Sequence, residues 1–328
     1  MKKTPISITI DDGCPSIHRM YHSLWPKRDE QGRPITAEGK LIRHDVPNSF
    51  LVKFCDIVEK HGLAGNYSVI PMPTEQGDII NGIGGYDADE LKEWLSLVKT
   101  RLAPYFDFCP EILTHGHAVD LETGGFSDLD EETWASTKDR TVLTPYIQRA
   151  LEMLKEVGID ANGVTSPWSF GVHVEAEYQA AIAEAQRRVH GRTFSWYFLH
   201  SDREAPNVKP WIALQEDGKT LVHVPGTIED VLWQTMDCSR TDEAFINEIV
   251  DSLLSEDGQS GYVIERLNAG SWPVLVTHWQ SLFSNGNETG LIILGRAAAR
   301  INRLLGDRVV WTSSMEMAKM VAAENGLI

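Results

Sequence analysis

Apolar residues along the chain follow two alternating periods. Short β-rich runs occupy 5–10 (PISITI), 64–70 (AGNYSVI), 109–114 (CPEILT), 161–165 (ANGVT), 193–198 (TFSWYF), 220–224 (TLVHV), 273–277 (PVLVT) and 308–312 (RVVWT). Among them, segments 49–61, 88–103, 140–157, 173–190, 241–255, 290–305 and 314–324 carry apolar positions three and four apart, several behind an N-cap such as Asn48, Asp87 or Ser313. This rhythm is the βαβα signature of parallel strands with helical crossovers. It predicts an α/β fold, a distorted (β/α) barrel of seven or eight parallel strands. Segments 25–48, 71–87, 120–139 and 199–219 break the rhythm, are rich in Gly, Pro, Asp and Lys, and read as long rim loops. No repeat, low-complexity tract or change of composition divides the chain, so residues 1–328 are expected to form one domain.

Composition narrows the partners. The 328 residues hold 30 Lys plus Arg against 47 Asp plus Glu, a formal charge of −17. That balance speaks against nucleic acid and against anionic lipid, both of which need a basic footprint. No apolar run reaches the roughly 18 residues of a membrane span. The run that follows Met1-Lys2-Lys3 alternates and ends in Asp11-Asp12, so it reads as a strand and not as an export signal. Cys14, Cys55, Cys109 and Cys238 form no C-x-x-C pair, which argues against a disulfide framework or a cysteine zinc site and for a reducing, cytoplasmic setting. Oligomeric state has no signature in the spacing.

Candidate chemistry clusters just past the predicted strands. Asp11 and Asp12 follow the first, His115, His117 and Asp120 the third, Ser166-Pro167-Trp168 the fourth, and His278-Trp279 the seventh. In a parallel barrel all these positions share the C-terminal rim, where barrel enzymes keep their reactive groups. Each has an ordinary alternative: an Asp pair also builds turns and caps, a lone histidine is often a hydrogen-bonded wall residue, and tryptophans are often core. Taken together they describe a site. Asp12, His115 and one further ligand would hold a divalent ion, Asp11 would take the proton of an attacking water, and His278 would protonate the leaving atom. Ser166, Trp168 and Trp279 are the candidate substrate contacts.

The assembled residues resemble the polysaccharide deacetylase family of metal-dependent hydrolases on a distorted α/β barrel. T-I-D-D-G (Thr9 to Gly13) resembles its opening motif, whose first Asp is the base and whose second binds metal. A-G-N-Y-S-V-I (Ala64 to Ile70) is similar to its second strand, E-I-L-T-H-G-H (Glu111 to His117) to its metal-histidine motif, and V-L-V-T-H-W (Val274 to Trp279) to its closing motif. R-V-V-W-T-S-S-M-E-M-A (Arg308 to Ala318) resembles its last strand and helix. Two features depart from the pattern. The family's metal histidines stand four apart, yet Val119 lies four after His115, leaving Asp120, and after it His117, to complete the shell. The Arg usual before Pro and an aromatic is missing from Thr165-Ser166-Pro167-Trp168.

The resemblance implies a divalent cofactor, zinc first, and a small-molecule or carbohydrate substrate carrying an N- or O-acyl group. Alternatives are a small cyclic-amide hydrolase of the same superfamily, a group in which some members work without a bound metal, and a barrel that binds a sugar or partner without catalysis.

Overall fold

The computed structural model describes residues 3–16, 27, 29–31, 35, 39, 45–74, 76–238 and 240–328. Most of the predicted rim loop 25–48 lies outside these residues. All eight predicted strands are present: β1 (Thr4–Gly13), β2 (Gly65–Val69), β3 (Phe106–Pro110), β4 (Gly163–Thr165), β5 (Phe194–Phe198), β6 (Lys219–His223), β7 (Val274–His278) and β8 (Val309–Trp311).

The strands form two parallel arcs. One runs β7-β1-β2-β3 and the other β4-β5-β6. Isolated parallel bridges join them at both seams, Phe108 with Ala161 and Glu111 with Thr165 on one side, Ile228 with Leu275 on the other. On the second side the contact to β7 comes from Ile228, five residues beyond the end of β6, and among the described residues β8 pairs with Thr4–Ile6 at the start of β1. Helices Asn48–His61, Arg140–Glu156, Glu175–His190, Thr289–Leu305 and Ser314–Glu324 match the predicted amphipathic segments within two residues. Their apolar stripes bury Phe50, Phe54 and Val58, Leu143, Ile147 and Leu154, or Ile293, Ala297 and Ile301. Among the described residues no helix is long and apolar enough to cross a membrane.

Four local expectations are corrected. The third strand begins three residues earlier than the apolar run suggested and ends at Pro110, although the Glu111 amide still donates to Val69 O on β2. Segment 199–219 is not all loop: Trp211–Glu216 adds an antiparallel strand to β6. Segment 120–139 contains part of a hairpin, His117–Val119 against Phe126–Asp130, and the short helix Glu131–Ala135. Asn48 is the first helical residue and no cap; its amide donates instead to Glu90 O and Glu93 Oε2. Asp87 and Ser313 do cap their helices, accepting from Glu90 N and Glu316 N.

Candidate active site

The register of β1 brings the two ends of the sequence together. Asp11 pairs with His278 across the β1–β7 ladder, so the predicted base and acid are neighbours. Pairing of β1 with β2 is regular to Ile10 and resumes at Gly13, and this irregularity lets Asp11 and Asp12 take different directions. Asp12 has φ 63°, a left-handed backbone uncommon outside glycine. His115 and Trp168 have φ 49° each, so three rim residues hold strained conformations, a concentration typical of functional sites.

Asp12, Glu111 and His115 form the group of converging metal-type donors among the described residues, with ligand atoms within 4.8 Å of one another. His115 Nε2 stands 2.9 Å from Asp12 Oδ1 and 3.4 Å from Glu111 Oε1. The other Glu111 oxygen accepts from the Asp12 amide and the Ser68 hydroxyl, each at 2.6 Å. Burial works to lower the His115 pKa, but the charges of Asp12 and Glu111 outweigh it and hold it well above the ordinary histidine value. Asp11 is 5 % exposed, and its Oδ1 has no hydrogen-bond partner among the described residues. Burial, reinforced by Glu111, raises its carboxyl well above the usual carboxylate range.

Opposite the donors, Asp230 holds His278. Asp230 Oδ2 lies 2.8 Å from His278 Nδ1 and accepts from the His278 amide at 3.1 Å and from Ser281 Oγ at 2.5 Å. Burial would lower the imidazole pKa, yet the hydrogen bond with Asp230 and the acids Asp12 and Asp11 push it up to about 9. With Nδ1 engaged, Nε2 is the nitrogen left for a substrate. A cleft of about 620 Å³ is lined by Asp11, Glu111, His115, Ser166, Trp168 and His278 together with Phe198, Leu199, Val276, Trp233 and the Arg203–Glu229 ion pair. Trp168 stands edge-on to His115 with ring centres 4.7 Å apart, and Trp233 likewise to His278 at 4.8 Å.

The predicted set is therefore brought together in part. Asp11, Asp12, His115, His278, Ser166 and Trp168 converge. Trp279 does not: 1 % exposed, it packs against Phe50, Phe54 and Tyr67 as a core ring. Asp120 is also away from the donors, because its carboxylate is committed to the amides of Glu122 and Thr123 at 2.9 Å, and it lines a separate hollow of about 720 Å³. His117 sits in a hairpin opposite Asp130, outside the converging group.

Three residues escaped the sequence reading. Glu111, four before His115, supplies the donor that was sought four after it. Asp230 belongs to a second acid couplet, Glu229-Asp230, which follows the extended residue Ile228 as Asp11-Asp12 follow Ile10. Glu131 is wholly buried and accepts from the amides of Leu113, Thr114 and His115 at 3.3, 2.9 and 2.8 Å and from Tyr146 Oη at 2.7 Å. Its carboxylate pins the loop that presents His115, and burial pushes its pKa up to about 6.

A putative polysaccharide deacetylase from Mycobacterium smegmatis superposes with a TM-score of 0.50 at 18% identity, covering 84% of this chain and 78% of that one. The fold is that of the polysaccharide deacetylases. A putative glycoside hydrolase/deacetylase from Parabacteroides distasonis, also at TM-score 0.50, shares 10% identity over 98% of this chain and 72% of its own. No protein-family model and no curated protein matches the sequence. The likeness to deacetylases thus resides in the backbone, and the chemistry has to be argued from the side chains.

Proposed function

We propose that the chain is a metal-dependent hydrolase that removes an acyl group from an N- or O-acylated carbohydrate-like substrate, working as one domain. The observation that carries this reading is the convergence of Asp12, Glu111 and His115, at a cleft that Glu111 and His115 line together with Asp11 and His278 while Asp12 lies buried behind it. Two carboxylate oxygens and one imidazole nitrogen are a donor set that divalent ions, zinc among them, accept. An ion held there would supply Lewis-acid polarisation of the acyl carbonyl.

The protein's own groups do the rest. Asp11, with one oxygen unpartnered among the described residues, is the proton acceptor for an attacking water. Asp230 fixes the His278 ring and keeps it protonated at neutral pH, so that Nε2 can deliver a proton to the departing nitrogen or oxygen. Trp168, 47 % exposed, and Trp233 offer flat apolar faces to a sugar ring on either side of these groups.

A second reading, a metal-independent cyclic-amide hydrolase, is favoured by the position of His115 between two carboxylates, where its protonated ring would provide a positive charge without an ion. Chelation separates the two. Hydrolysis of acetylated chitin oligomers or acetylated xylan should vanish on dialysis against a chelator and return with a divalent salt; activity indifferent to the chelator would count against the metal-dependent reading. Binding of these oligomers with no turnover under any condition would favour a non-catalytic barrel.

A further inference from the structure

We infer that Glu111 tunes the ion site towards hard divalent ions of the manganese and magnesium kind, relative to a site built with a second imidazole in its place. This rests on the ion-dependent reading above. The second carboxylate is firmly positioned: Glu111 is 2 % exposed, and its Oε2 is tied by the Asp12 amide on β1 and the Ser68 hydroxyl on β2. That leaves Oε1 on the His115 side, 3.4 Å from Nε2, next to Asp12 Oδ1 at 2.9 Å from the same nitrogen.

The converging donors are two anionic oxygens and one nitrogen. Carboxylate oxygens suit magnesium, calcium and manganese, whereas imidazole suits zinc, copper and nickel. Zinc still binds more tightly than manganese to most mixed nitrogen and oxygen sites, so the inference concerns the ratio of the two affinities and how residue 111 sets it. A carboxylate adds charge that strengthens the attraction for every ion, but it forgoes the imidazole that favours zinc. Exchanging it for histidine should therefore move the ratio in zinc's favour.

The test is equilibrium binding to the metal-stripped full chain, with Mn²⁺ alone followed by loss of its free electron-spin signal and Zn²⁺ alone followed by competition with a chromophoric chelator. Glu111→His is expected to raise the zinc-to-manganese affinity ratio at least tenfold over the parent chain. Glu111→Gln, nearly isosteric, should weaken Mn²⁺ more than Zn²⁺, and it keeps the test open should Glu111→His not fold. A ratio that stays constant in folded variants overturns the inference while leaving ion dependence intact. Failure of the parent chain to bind either ion overturns both.

Discussion

Asp11 and Asp12 are adjacent in sequence, and their division of labour is a matter of direction. Asp12 turns to His115 while Asp11 lies beside His278. Asp11→Asn should lower turnover by about 10²–10⁴-fold, the usual range for a lost general base, with metal content unchanged. Asp12→Asn should instead lose the ion. Elemental analysis beside initial rates checks both, and the opposite pattern would reverse the roles.

The Asp230–His278 pair makes a prediction about pH. His278 must carry its proton to act as an acid, so activity should hold through neutrality and decline as pH rises through about 9. Asp230→Asn removes the partner that raises the imidazole, and the alkaline limb of kcat/KM should move to lower pH. Stability follows the same sign. The folded state binds this proton more tightly than an exposed imidazole does, so the contribution is complete below about pH 6.5 and is lost as pH climbs through the folded value of about 9. A profile unmoved by Asp230→Asn would contradict the assignment.

At the scale of elements, the two tryptophans beside predicted catalytic residues separate cleanly. Trp279 opens the short helix after β7 and fills the core, so Trp279→Ala should destabilise the fold by roughly 3–5 kcal/mol. Trp168→Ala, at an exposed rim position, should leave the melting temperature nearly unchanged and raise KM. Thermal denaturation and steady-state kinetics on the pair distinguish a core ring from a substrate platform. Tyr146→Phe tests the loop clamp: it removes one hydrogen bond to Glu131 and the acceptor of the Val119 amide, a loss of about 1–3 kcal/mol.

Elements were also where the sequence was most legible. Strand positions emerged from β-rich apolar runs, and the rim residues Asp11, Asp12, His115 and His278 followed from strand ends. The third strand explains the main miss. An apolar run read as 109–114 put Glu111 inside a strand, whereas the real strand stops at Pro110 and leaves Glu111 as the first rim residue. Isoleucine and leucine at 112 and 113 are buried because they pack under the rim, with Ile112 at φ 44°, and burial alone does not distinguish that from a strand. Glu131 was hidden for another reason: its partners, the 113–115 amides, are set by tertiary contact and leave no local spacing, whereas Asp230 carried the signal of an acid couplet after an extended residue, in a segment not read as a strand.

Taken as a whole, the molecule spans its thin seams with side chains as well as bridges. Glu111 takes part in the bridge to Thr165 at one seam and, through its carboxylate, holds β1 and β2. An ion on Asp12, Glu111 and His115 would join residues 99 positions apart, and binding only to the folded state would stabilise it by mass action. At an ion concentration of about 100 times the dissociation constant the gain is about 2.7 kcal/mol. Calorimetry should therefore register a rise in melting temperature of several degrees on loading the stripped protein, and a smaller rise in Glu111→Gln at the same concentration.

The most direct measurement is anomalous X-ray diffraction from crystals of the full chain soaked in Mn²⁺ or Zn²⁺, recorded on either side of the metal's absorption edge. One anomalous peak is predicted within bonding distance of Asp12, Glu111 and His115, with Asp11 and His278 facing it across the cleft. A peak on Asp120 or His117, or none at all at saturating ion, would contradict the account.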